Sequence, residues 1–137
     1  MMLIDDNKID LFISKRIIKK FNPEIEVSSF SGPVQAIQYF DGLITQNSQK
    51  QFQEQFTILL DINMPILNGF QLIEIFESME LFNHFSLFIY MLSSSLNLED
   101  INRAKNHMRC EDYILKPLTI DKLKTIINSP TKRTLTS

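Results

Sequence analysis

Asp61 heads the run Asp61-Ile-Asn63-Met64-Pro65-Ile-Leu-Asn68-Gly69, directly after the apolar segment Ile58-Leu59-Leu60. A carboxylate at the end of a buried strand is placed to act as a nucleophile or to ligate a metal. The N-terminus repeats the arrangement, because Met1-Met2-Leu3-Ile4 is followed by Asp5-Asp6. Further along, Leu87 to Leu92 runs into Ser93-Ser94-Ser95, and Tyr113-Ile114-Leu115 runs into Lys116-Pro117. Acids, a hydroxyl and an ammonium thus each follow a short apolar run. Carboxylates packed together repel, so at least one holds a proton unless cations neutralise the group. Lys116 can be one cation, and a hard divalent ion such as Mg2+ can be the other, since carboxylate and carbonyl oxygens suit it. Such a set can bind a phosphoryl group. The metal and Lys116 would spread the charge that develops on its oxygens while Asp61 attacks as a nucleophile.

These groups meet only if the elements that carry them end at one edge. Short apolar runs alternate with segments of helical period, the pattern of an α/β protein with a parallel sheet. Residues 1 to 4 read as a first strand, and Asn7 to Phe21 as an amphipathic helix with an apolar set of Ile9, Phe12, Ile13, Ile17 and Phe21. Lys15, Arg16, Lys19 and Lys20 are left for solvent and for the helix's negative end. Asn22-Pro23 stops it, and Ile25 to Phe30 supplies a second strand. Ser31 as N-cap and Pro33 in the first turn open a second helix through Ala36, Ile37 and Phe40. Residues 41 to 55 are polar and glutamine-rich, a helix end and long loop.

Thr57 to Leu60 is a third strand, and Leu72, Ile73, Phe76 and Met79 form the inward face of a third helix. Leu87 to Leu92 reads as a strand covered on both faces. A fourth helix over about residues 98 to 108 turns Ile101, Ala104 and Met108 inward. Tyr113 to Leu115 is a fifth strand, and Thr119 caps a last helix with Leu123, Ile126 and Ile127 facing the core. The expected architecture is a doubly wound, five-stranded parallel sheet with five helices. With strand order 2-1-3-4-5, Asp6 and Asp61 face each other where the order reverses, which is where open α/β sheets bind ligands. Residues 1–128 are expected to make one domain, and 129–137 a short tail with no output domain.

Bulk properties narrow the function further. A chain of 137 residues, 44% hydrophobic and 22% charged, can bury a core and is ordinary for a globular protein. A net charge of -2 gives no basic field for a nucleic-acid backbone. No apolar stretch is long enough to span a bilayer, and acids interrupt the first apolar run, unlike a secretory signal. Cys110 is the only cysteine, which suits a reducing cytoplasm and excludes a thiolate zinc site; it reads as a packing residue. His84 and His107 have no partner pattern for catalysis.

Taken jointly, Asp5-Asp6, Asp61 with Met64-Pro65 and Gly69, Ser93, Tyr113 three residues before the lysine, and Lys116-Pro117 resemble the receiver domains of two-component response regulators over about residues 1 to 128. The resemblance implies the flavodoxin-like receiver fold of the single-domain chemotaxis regulators. It implies Asp61 as phosphoacceptor, with Mg2+ bound through Asp6, Asp61 and the backbone carbonyl of Asn63, and Asp5 acting through the metal's waters. Ser93 and Lys116 would bind the phosphoryl oxygens, and the Lys116-Pro117 bond would be cis. Ser93 and Tyr113 would form the switch. The phosphodonor would be a sensor histidine kinase or histidine phosphotransfer protein, with a downstream protein as target and homodimerisation left open. Two other functions are weighed: a receiver-fold scaffold that is never phosphorylated, and an Mg2+-dependent aspartyl phosphohydrolase. The second needs an acid two residues after its nucleophile, and Asn63 stands there.

Overall fold

The structure, a computed structural model, describes residues 1–46 and 54–129. Strands β1 (Met2–Ile4), β2 (Ser28–Phe30), β3 (Gln55–Leu60), β4 (Ser86–Ser93) and β5 (Cys110–Leu115) form one parallel sheet in the order β2-β1-β3-β4-β5. The expected order is therefore observed. Successive residues of a strand point to opposite faces, so Ile4, Leu60 and Met91 join one apolar cluster while Leu3, Leu59 and Tyr90 join another. Helices α1 (Lys8–Phe21) and α6 (Ile120–Asn128) pack on the second cluster through Ile18, Leu123 and Ile126. Helices α2 (Pro33–Gln46), α3 (Gly69–Ser78), α4 (Leu81–His84) and α5 (Leu98–Asn106) pack on the first. Both faces are covered, which is why the central strands are apolar without alternation.

The first cluster is centred on Phe40, whose ring lies 5.3 Å from Phe76, 5.4 Å from Phe56 and 5.7 Å from Phe85. Fixed aromatic contacts of this kind hold α2 and α3 on the sheet. Helix starts follow their caps: Asn7 Oδ1 accepts the Ile9 and Asp10 N–H groups, and Thr119 Oγ1 accepts that of Lys122.

Several expectations need correction. Six helices occur among the described residues, since the one-turn α4 follows Glu80, whose backbone is left-handed (φ 60°). Helix α2 runs on to Gln46, so part of the expected 41–55 loop is helical; residues 47–53 lie outside the described part, as does most of the 129–137 tail. On α1 the buried residues are Ser14 and Ile18, whereas Ile9 is 71% and Phe12 63% exposed. A 3.6-residue period locates an apolar stripe but not what stands opposite it. The first turns of α1 lie at the carboxyl edge of the sheet, where little sheet remains to cover them. Met108, expected inward, is 83% exposed because α5 stops at Asn106 and leaves it in the turn to β5. Ile127, in the last turn of α6, is also exposed. No helix among the described residues is long and apolar enough to cross a membrane.

Candidate functional site

The sheet's hydrogen-bond ladder continues one residue past the carboxyl ends of three strands. Asp5 N–H bonds the Phe30 carbonyl at 3.1 Å, Asp61 N–H that of Ile4 at 2.9 Å, and Lys116 N–H that of Ser93 at 2.9 Å. Because these backbone groups are paired, the side chains start from fixed points on one edge. Asp5 and Asp61 are buried, Asp6 is exposed, and one carboxylate oxygen from each lies within 4.8 Å of the others. Lys116 Nζ stands 2.7 Å from Asp5 Oδ2, 2.8 Å from Asp10 Oδ2 and 3.7 Å from Asp61 Oδ2. The other oxygen of Asp5 accepts the Asn7 N–H at 2.9 Å, so both its oxygens are engaged.

The electrostatics follow from that crowding. Burial, reinforced by the charge of Asp5, pushes the Asp61 carboxyl up to about 7, although Lys116 and a backbone hydrogen bond from Asn63 oppose the rise. Burial works against the Lys116 ammonium, but hydrogen bonds to Asp10 and Asp5 outweigh it and raise its pKa. Lys116 is thus shared among three acids, with Asp61 the most distant of them. The three carboxylates of Asp5, Asp6 and Asp61 offer hard oxygen donors of the kind that suit a divalent ion, one from each within 4.8 Å of the others.

The loop after Asp61 is shaped to keep the carboxylate in place. Gly69 N–H bonds the Ile62 carbonyl at 2.8 Å, and a Cβ on Gly69 would sit 2.7 Å from the Asp61 carbonyl oxygen. Asn68 and Gln71 then form a reciprocal capping box that starts α3. Between them and Asp61, the exposed Ile66 holds φ 75°, a strained backbone for a β-branched residue. The Lys116-Pro117 peptide bond is cis, as the resemblance implied.

Ser93 and Tyr113 are joined to each other rather than to the acids. Ser93, fully buried at the end of β4, accepts the Ser95 N–H on its hydroxyl oxygen at 3.3 Å. Tyr113 is turned inward, and its hydroxyl donates to the carbonyls of Ser93, at 3.2 Å, and Ser95. Ser95 in turn donates to Asp100 Oδ2 on α5 at 3.0 Å. The turn from β4 to α5 is thereby tied to β5 at one point. Sequence reasoning missed one member of the site, Asp10. Its only signal is an acid one helical turn beyond the Asp5-Asp6 pair, and first-turn acids commonly serve the helix dipole.

The sequence profile of the response regulator receiver domain matches residues 1–128. The chain belongs to this family. Among solved structures, this receiver is similar to a two-component response regulator from Cytophaga hutchinsonii, with 29% identity, a TM-score of 0.76, and coverage of 99% of this chain and 96% of that one. A response regulator receiver protein from Dyadobacter fermentans gives 26%, 0.72, and 98% and 95%. A two-component response regulator of Oryza sativa subsp. indica is 31% identical over 78 residues, 56% of this chain. That match spans only 12% of the rice protein.

Proposed function

We propose that this receiver accepts a phosphoryl group on Asp61 from the histidine of a sensor kinase or phosphotransfer protein, in the cytoplasm, and passes the signal on through protein contacts. The observation that carries this reading is the convergence of Asp5, Asp6 and Asp61 with the Lys116 ammonium at one sheet edge. An Asp61 oxygen forms a bond to phosphorus as the bond from phosphorus to the donor nitrogen breaks, and that electron pair leaves with the imidazole. Asp6, Asp61 and the Asn63 carbonyl would hold Mg2+, with Asp5 acting through its waters. When bound, the ion neutralises the carboxylates and the charge on the phosphoryl oxygens. Lys116 and the Ser93 hydroxyl bind those oxygens, with Ser93 donating its proton as its side chain moves toward the phosphoryl group.

That movement is how the signal leaves the site. Ser93, Ser95 and Tyr113 share one hydrogen-bonded cluster, so moving Ser93 shifts an equilibrium in the turn that leads into α5. The exposed Ile9 and Phe12 of α1, beside Lys8 and Lys15, suit a helical phosphodonor presenting apolar and acidic side chains.

Incubation with Mg2+ and acetyl phosphate tests the reading. Intact-mass measurement should find one acid-stable, base-labile phosphoryl adduct that is absent in Asp61→Asn. Failure of the native protein to form it, or an adduct that survives in Asp61→Asn, would count against Asp61 as acceptor. Sustained turnover of a phosphate ester would instead make the protein a hydrolase.

A further inference from the structure

Asp10 makes no capping-box hydrogen bond within the helix that carries it. It is the third residue of α1, where an acid can reach back to the backbone N–H of the N-cap. Here that N–H, from Asn7, already bonds Asp5 Oδ1 at 2.9 Å. The Asp10 carboxylate instead crosses to Lys116, 106 residues away in sequence, and takes a hydrogen bond at 2.8 Å. Lys116 offers three donors. Asp5 and Asp10 hold it by short contacts, while Asp61 is left at 3.7 Å, outside hydrogen-bond range. The ammonium is thus drawn toward the α1 side of the crevice, next to a cavity of about 220 Å³ lined by Asp10, Ile13, Ser94 and Lys116.

We propose that Asp10 is a positioning residue that holds Lys116 in reserve, so that its charge competes with Asp61 and the incoming phosphoryl oxygens for the ammonium. The inference rests on the phosphoacceptor reading above. Any move of Nζ onto a phosphoryl oxygen is made against the pull of Asp10, and loading of Asp61 is slower than the site without that charge would allow. A role as a mere tie between α1 and the loop after β5 would act differently. The Asp10 side chain is one-third exposed, and such a pair adds little to stability. Its larger effect falls on where the ammonium sits.

Adduct formation from acetyl phosphate is followed by intact mass, with Mg2+ raised until the native rate no longer changes. Native protein, Asp10→Asn, Asp10→Ser and Asp10→Glu are compared, and their melting midpoints are recorded. Asp10→Asn and Asp10→Ser should load about threefold to fivefold faster, the scale of one partly exposed ion pair. Asp10→Glu, which restores the charge, should fall back toward the native rate, with melting midpoints close to native throughout. A crystal structure of Asp10→Asn should place Lys116 Nζ nearer to Asp61 than 3.7 Å. Unchanged or slower loading in Asp10→Asn, with the native protein loading normally, overturns the role of Asp10 and leaves Asp61 as acceptor. Equal acceleration in Asp10→Glu overturns it too, because the charge would then be irrelevant. No adduct on the native protein overturns both readings.

Discussion

At Asp61 the ionised form that the proposed phosphoacceptor role needs conflicts with burial beside a second acid. The folded-state carboxyl is raised from 3.8 to about 7, with desolvation the first cause and Asp5 the next. A group whose folded pKa is raised binds its proton more tightly in the native state than in the unfolded chain. Its contribution to stability is complete below about 3.8 and is lost as pH rises through about 7. In buffer free of divalent ions, the urea midpoint of the native protein should therefore fall between about pH 4 and about pH 7. Asp61→Asn should flatten that fall and be the more stable of the two at the upper end; a slope identical to native would contradict the raised carboxyl. Much of this was readable from residues alone. Asp5, Asp6, Asp61 and Lys116 each follow an apolar run, so their type and place both pointed to one edge. Asp10 lacked that mark, because its partner is reached through tertiary packing rather than local pattern.

The elements that present these residues differ in how plainly the sequence shows them. Strands β3 and β4 could be read from their apolar runs, since burial on both faces leaves few polar interruptions, and helix α3 from the spacing of its buried residues. The orientation of α1 could not, because Ile9 and Phe12 continue the stripe past the end of the sheet. Their exposure gives a prediction. Phe12→Ser should cost little stability, yet slow phosphotransfer from a protein donor more than loading from acetyl phosphate; equal slowing with both donors would place its effect at the site itself. The β3-to-α3 loop gives another. Gly69 is required for space rather than for a left-handed backbone, as no glycine here has positive φ. In Gly69→Ala the new methyl meets the Asp61 carbonyl at 2.7 Å, and backbone there cannot turn aside as a flexible side chain would. Overpacking of this kind costs about 1–3 kcal/mol. Urea unfolding should show the loss, and adduct formation on Asp61 should slow with it; a native midpoint would mean that α3 shifts freely.

Across the whole molecule, two apolar layers hold the sheet from both sides while its carboxyl edge gathers repelling charge. The core and the site thus oppose one another, since packing buries Asp61 beside Asp5, where the ionised form of Asp61 costs stability. A ligand that neutralises the edge acts on the entire cooperative unit, because binding only to the native state shifts the unfolding equilibrium. Mg2+ at about one hundred times its dissociation constant should stabilise the protein by about 2.7 kcal/mol. Its affinity should be greater at about pH 8 than at about pH 5, since at the lower pH the ion must displace the Asp61 proton. Both effects should shrink in Asp6→Asn, which removes one exposed donor without touching the core. Thermal unfolding across a Mg2+ titration at the two pH values measures this. A shift independent of pH, or one that Asp6→Asn leaves whole, would place the ion somewhere other than among these three acids.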